Sequence, residues 1–519
     1  MSKLPDVLIQ IHYHLRPGGV RTVMNRYAES FLRCKKNKSA ESYLISSCYG
    51  TDIKEIPATV IDIPECDYQV VTDKSHFFAL RDHIARQIES KFTVIADRTA
   101  VIIAHNLTLS KNPALSAAFY MLAMRWSSVK IRFFLVIHDF AEEGRVELME
   151  QITSLETQGV RIRESLYCIG APVHIVAPGV AWYNLLKKVG FPVTLLQNPV
   201  ISLGGENCIN SRQEYKNRLK KYAENRGIEL DISKKIFYYP VRVITRKNIF
   251  ESIVISCFLC NGILLTGPFG KSKFDKQRFA IFSTMIEKYR LPVLFDSAEA
   301  FLDDDNSINP IVKLMCACDL AISSSIAEGF GYGLYDPWLY NKAVIARKPS
   351  GFIAPENRDV SFFYSWFPVP QSWVSLDLLS GRYKDQYYNC FKSKLPWKID
   401  KEVCRNSTVD FGALDEGMQY EIVELVLNDK LKMIEWMRLL ESKSSIWPGI
   451  GNLIHAAQKN IICQKEQIMD KLSYERFQSQ FENCFSQEPS IIPQTVNPDH
   501  IQTIFQSSKF FRLLLNPHS

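Results

Sequence analysis

Ser323-Ser-Ser-Ile-Ala-Glu328-Gly-Phe330-Gly331-Tyr332-Gly333-Leu-Tyr-Asp336-Pro-Trp-Leu339 is the stretch that decides how this chain is read. Two carboxylates, Glu328 and Asp336, stand eight positions apart around a Gly-X-Gly-X-Gly core. An apolar run, Leu320-Ala-Ile322, precedes the core, and a helix-like segment, Asp336 to Tyr340, follows it. The pattern predicts a strand end, a glycine-rich turn and a helix start. Backbone N–H groups left without partners in such a turn form an anion site, and the helix dipole strengthens it. A carboxylate on each side can hold hydroxyl groups flanking a diphosphate, which are the needs of a nucleotide-sugar pocket. A plain glycine turn with two solvated acids would use the same residues.

Length and composition set the frame. At 519 residues the chain exceeds a comfortable single core, so two similar domains plus extras are expected. Its 46% hydrophobic and 23% charged content is ordinary for a globular protein. The longest nearly apolar run, Ile253 to Thr266, is broken by Asn261 and too short to span a bilayer. The N-terminus lacks the layout of a signal peptide. Thirteen scattered cysteines, several in apolar contexts such as Cys168, Cys257 and Cys316, predict reduced thiols and a cytoplasmic location. The net charge of +7 includes basic clusters at Arg33 to Lys38 and Lys216 to Lys221, which read as solvated helix faces. Tyr215 and Tyr222 are too few to build a base-stacking platform, so no nucleic-acid partner is expected.

Along the first half, short apolar runs alternate with helical patterns, the signature of a parallel α/β sheet. Strands are predicted at Val7–His12, Ser42–Ser46, Val101–Ala104, Ile131–Ile137 and His174–Ala177, and a closing run, Val193–Leu196, ends at Asn198-Pro199. Helices are predicted at Val20–Cys34, Asn112–Arg125 and Val180–Val189. Residues 1–200 thus form an N-terminal Rossmann-like domain, and the polar segment 201–235 reads as a linker carrying a surface helix. A second α/β unit, 236–465, opens with Lys235–Pro240 and continues through strands at Gly262–Leu265, Pro292–Phe295, Leu320–Ile322 and Ala343–Ala346. Gly417 to Phe485 is mostly helical, and 466–519 supplies a closing helix and tail. Two tandem doubly wound domains predict a ligand cleft at the carboxyl ends of their strands.

Three further constellations carry chemistry. His12-Tyr-His14-Leu-Arg-Pro17-Gly18-Gly19 lies between the first strand and first helix, where adjacent glycines permit close backbone approach to a ligand. Arg242-Val-Ile-Thr-Arg246-Lys247 follows the strand that opens the second unit, and its Arg and Lys can both reach a diphosphate. His105-Asn106 and His138-Asp139 sit at the ends of apolar runs, and two histidines at equivalent strand ends point to one site. Other patterns read as decoys. Gly267 to Ser272 has the wrong spacing for a phosphate loop. Cys257/Cys260 and Cys316/Cys318 read as buried thiols, and Asp303-Asp-Asp305 as a polar loop. No metal site is predicted.

Taken in order, these pieces resemble the retaining glycosyltransferases of family 4, with their glycosyltransferase-B fold. The matching pieces are Pro17-Gly18-Gly19-Val20, His138-Asp139, Gln197-Asn198-Pro199-Val200, Arg242 with Lys247, and Glu328-Gly-Phe-Gly through Asp336. One departure is Asp336, where the family usually has Glu. The region Ser350 to Glu421 matches no part of the family pattern.

The resemblance implies a nucleotide diphosphate sugar as donor, an unidentified small-molecule, glycan or lipid-linked acceptor, and neither cofactor nor required metal. It implies His138, Glu328, Arg242 and Lys247 as catalytic residues. Gly18, Gly19, Phe330, Gly331, Tyr332, Gly333 and Asp336 would bind the donor, and His105 and Asn106 would lie on the acceptor side. The alternative is a non-catalytic nucleotide-sugar-binding or scaffold protein of the same fold. The Arg33 to Lys38 cluster and the Phe505 to Leu515 segment also suggest a weak peripheral contact with the inner face of a membrane.

Overall fold

The structure is a computed structural model. It describes residues 4–16, 18–34, 40–49, 56–95, 97–204, 211–270, 273–302, 308–350, 362–445, 447–487 and 490–515. Pro17, Asp303 to Asp305, the end of the Gly267–Ser272 motif and most of the Arg33–Lys38 cluster lie outside the described residues.

The chain divides into two compact units. The first comprises residues 1–199, 389–391 and 472–511, and the second 200–388, 392–471 and 512–519. In the first unit, β1 (Val7–His14), β2 (Glu41–Ser47), β3 (Thr59–Asp62), β4 (Ala100–His105), β5 (Ile131–Val136), β6 (Val173–Ala177) and β7 (Val193–Leu195) form one sheet. Its order is β3-β2-β1-β4-β5-β6-β7, and every pair is parallel. Parallel strands are covered on both faces, which explains their nearly continuous apolar runs. In β1 the polar exceptions Gln10 and His12 share one face, and both are buried. The strand order reverses between β1 and β4, where doubly wound sheets open a crevice beyond their carboxyl ends.

The helix Gly19–Cys34 turns Val23, Tyr27 and Phe31 into the core at four-residue spacing. The last long helix, Tyr474–Phe485, starts on Ser473, whose side chain accepts from the Arg476 N–H. It packs Phe477, Phe481 and Phe485 around Tyr27, at ring distances of 5.4, 5.5 and 5.9 Å. Burying each such ring contributes about 1.5–3 kcal/mol, so the tail completes the core of the first unit.

The second unit holds β8 (Ile236–Tyr239), β9 (Ile263–Thr266), β10 (Val293–Leu294), β11 (Leu320–Ser323), β12 (Ala343–Arg347) and β13 (Phe363–Tyr364). They are ordered β10-β9-β8-β11-β12-β13, again all parallel, with the reversal between β8 and β11. A small antiparallel sheet, β14 (Pro368–Pro370), β15 (Cys404–Arg405) and β16 (Thr408–Asp410), is built from the stretch that had no match in sequence.

Three expectations change. The segment read as a linker lies inside the second unit. Its helix, Arg212–Glu224, buries Tyr215, Leu219 and Ala223, and Arg212 pairs with Asp319 at the foot of β11. Cys316 is disulfide-bonded, whereas Cys257, Cys260 and Cys318 are free thiols. In the tail, Phe505, Phe511, Leu513, Leu514 and Leu515 are buried, so the side chains proposed to touch a membrane already belong to the protein core. Among the described residues no helix is long and apolar enough to cross a membrane.

Candidate active site

In the second unit the site grows from the carboxyl ends of β8 and β11. After β8 the chain passes Pro240 and Arg242 into a short 3-10 turn, Thr245–Lys247. This turn is laced to the segment after β11. Ser324 Oγ donates to the Lys247 and Asn248 carbonyls (2.9 and 2.8 Å), the Ile326 N–H donates to the Arg246 carbonyl, and Arg246 donates to the Ala327 carbonyl at 2.7 Å. The serines of the opening motif are therefore structural staples. They bring Lys247 onto Glu328, with which it forms a close ion pair, and set Arg246 3.7 Å from the same carboxylate. Burial pushes the Glu328 carboxyl up, but Lys247 and Arg246 more than offset this and hold it below the usual range. Arg242 is exposed and makes no hydrogen bond or ion pair among the described residues.

The glycine segment continues from Glu328 beyond the end of β11. Gly331 has φ +84°, the left-handed region, and a Cβ there would meet Leu334 at 3.2 Å. Phe330 stacks on Tyr335 at 5.1 Å and meets Tyr332 edge-on at 4.9 Å. The expected helix is a 3-10 turn, Tyr332–Leu334, followed by a single helical turn, Asp336–Leu339. So short an element offers backbone N–H groups but little summed dipole, which corrects the dipole expectation.

Sequence reasoning missed the support beneath Lys247. Asn248, at φ +52°, donates to the Glu251 carboxylate (2.8 Å) and accepts from Gln419 (2.9 Å). Glu251 also accepts two bonds from Arg347 and one from the Tyr364 hydroxyl, while Arg347 grips Asp410 with two more. Gly412 leaves the room this needs, since a Cβ there would lie 2.7 Å from the guanidinium carbon. Tyr364, Asp410, Gly412 and Gln419 all come from the stretch that matched nothing in sequence. No local sequence signal near Asn248 or Arg347 points to them.

In the first unit the carboxyl ends of β1, β4 and β5 gather His12, His105 and His138, all buried. His105 bonds Gln10 Oε1 through Nε2 (2.9 Å) and His138 Nε2 through Nδ1 (3.4 Å), with the His105 and His138 rings stacked at 5.7 Å. His12 Nδ1 donates to the His105 carbonyl at 2.9 Å. Burial drives all three imidazoles toward the neutral form: His12 is pushed down to about 3, His138 to about 4 against the pull of Asp139, and His105 well below its ordinary value.

His105 and Asn106 were expected on the acceptor side, but their polar groups are already engaged. His105 is completely buried with both ring nitrogens bonded, and Asn106 bridges to the Asp139 N–H (2.8 Å) and carboxylate (3.3 Å). Their part is to hold the His138–Asp139 corner. Gly18 and Gly19 lie at the start of the first helix, where a Cβ would meet almost nothing of the chain itself.

No family model matches the sequence. The mannosylglucosyl-3-phosphoglycerate synthase of Petrotoga mobilis is 27% identical over 469 residues, covering 85% of this chain and 86% of that protein. Among solved structures, sucrose-phosphate synthase from Thermosynechococcus elongatus superposes with a TM-score of 0.52 at 11% identity, covering 92% of this chain and 98% of that one. The chain has the glycosyltransferase-B fold. Its likeness in sequence is to a synthase of a glycosylated phosphoglycerate. In this chain the Lys247–Glu328 pair and the buried histidines occupy the carboxyl ends of the two parallel sheets, where ligands of such sheets bind.

Proposed function

We propose that the protein transfers a hexosyl group from a nucleotide diphosphate sugar to a hydroxyl of an anionic glycoside with retention of the anomeric configuration, as family 4 glycosyltransferases do. The observation that carries this reading is the Lys247–Glu328 pair at the β8/β11 strand ends, with the exposed cation Arg242 on the same strand end. Arg242 and Lys247 hold the diphosphate, helped by backbone N–H groups of Phe330 to Gly333 and by the open backbone at Gly18 and Gly19. Asp336 holds ribose hydroxyls, Glu328 contacts the transferred sugar and His138 orients one of the sugar's hydroxyls.

As the bond from the anomeric carbon to the phosphate oxygen breaks, negative charge develops on the diphosphate, and the two cations stabilise it there. The acceptor oxygen forms its new bond on the face that the leaving group vacates. Its proton passes to the departing phosphate oxygen, so no separate carboxylate base is needed. An anionic acceptor is supported by the name of the Petrotoga relative and by Lys111. This lysine lies beyond the end of β4, over the Tyr68 ring at 5.4 Å, and has no ion pair among the described residues. Burial and the nearby Arg145 lower its pKa, so it would gain from an anionic partner.

The test is turnover of a panel of UDP-, GDP- and ADP-sugars with a phosphorylated glucosyl glycerate, the product's anomeric configuration being read by proton NMR. The donor's configuration is expected in the product. An inverted product removes retention, and donor binding without turnover on any acceptor favours a binding protein.

A further inference from the structure

Three hydrogen bonds in the first unit run in series from a backbone carbonyl to His138. The Met24 carbonyl can only accept, so Gln10 Nε2, 2.9 Å away, is the amide –NH2 and donates to it. Gln10 must then turn its carbonyl oxygen to His105 Nε2, at 2.9 Å, and that nitrogen carries a proton. His105 is sealed in the core beneath the edge of Tyr27 and is neutral. A neutral imidazole has a single N–H, so His105 Nδ1 is a bare lone pair. It faces His138 Nε2 at 3.4 Å, which must therefore be the protonated nitrogen of His138. The remaining nitrogen, His138 Nδ1, takes no hydrogen bond from the described residues and is not sealed from solvent.

We propose that Gln10 and His105 are positioning residues that lock His138 as its Nε2–H tautomer, leaving Nδ1 to accept a hydrogen bond from a substrate hydroxyl. The proton placed on one imidazole nitrogen is set by the bond the other makes. Here that bond is traced back, through two side chains, to an acceptor that cannot change its role. Specificity follows. The substrate atom facing His138 is a donor, so a hydroxyl is accepted there, while a phosphate, carboxylate or ether oxygen would put two lone pairs face to face. His12 supports the arrangement from the side, its Nδ1–H tying the His105 carbonyl to β1. The step from tautomer to substrate rests on the role given to His138 above.

The experiment is nitrogen-15 NMR of the full chain labelled at histidine, with His138 assigned by comparison with His138→Gln. The wild-type protein is expected to show Nδ1 as the unprotonated and Nε2 as the protonated nitrogen. The reverse pattern, or an average of the two, overturns the lock without reference to activity. In Gln10→Leu the series loses its anchor. The His138 nitrogens are expected to move toward mixed values and kcat to fall by about tenfold or more, in line with the cost of losing an orienting partner. An unchanged His138 spectrum in Gln10→Leu removes Gln10 from the device. A changed spectrum with unchanged kcat and KM leaves the lock standing and overturns the substrate contact assigned to His138.

Discussion

At the carboxyl ends of β1, β4 and β5 the buried histidine series is neutral, whereas at those of β8, β11 and β12 the buried network includes charged pairs. Both ends hold their functional side chains through a chain of partners reaching into the core. The first uses amide and imidazole, whose geometry fixes direction without net charge. The second uses carboxylate and guanidinium, which fix position and also set up a field. The difference matches the role proposed for each half. Sugar hydroxyls are read by directional hydrogen bonds, and a departing diphosphate is stabilised by charge.

Breaking the charged half should have the largest effect. Arg347→Leu leaves Glu251 and Asp410 buried without their cation and is expected to cost about 3–5 kcal/mol in urea unfolding. An unchanged midpoint would mean the cluster does not support the fold. Lys247→Ala removes the cation proposed to face the donor. Turnover should drop by about 10²–10³-fold while circular dichroism and the unfolding midpoint stay close to wild type, because Glu328 keeps Arg246. Near-normal turnover would sink the assignment.

The neutral half should respond to acid. His12 and His138 protonate in the folded state only near about 3 and about 4, but near about 6.5 once unfolded. Their contribution to stability is complete above that unfolded value. It is lost as pH falls toward the folded values, since only the unfolded chain takes up protons there. Unfolding midpoints should therefore fall between pH 6.5 and 4, and His12→Asn should flatten the slope. An identical slope in that variant would contradict the burial argument. The smallest effect is expected at the turn itself. Gly331→Ala should cost about 1 kcal/mol, through its positive φ and its contact with Leu334, and a stability equal to wild type would show that the turn relaxes freely.

The parallel sheets were legible because their strands are apolar on both faces, so Val7, Ile131 or Leu320 mark them without any partner. The edge strand Thr59–Asp62 was missed because a four-residue, half-exposed strand has no such run. The motif residues Lys247 and Glu328 were found one at a time, and the structure joins them. What could not be read was support supplied from far along the chain. Nothing near Asn248 announces Gln419, and nothing near Arg347 announces Asp410, because those pairings exist only after the sheet has formed. For the same reason His105 looked like a ligand contact: a histidine at a strand end reads alike whether its nitrogens face solvent or Gln10.

The return of the last long helix to Tyr27 has a consequence for the order in which the protein is made. The ribosome delivers the first sheet early, yet the phenylalanines that cover Tyr27 emerge only after residues 200–471, nearly all of the second unit, have been synthesised. Until then the first unit waits with an aromatic face uncovered. A chain cut short after residue 471 would lack nothing of the sheet that precedes the cut, and would instead leave unfinished the domain at its opposite end.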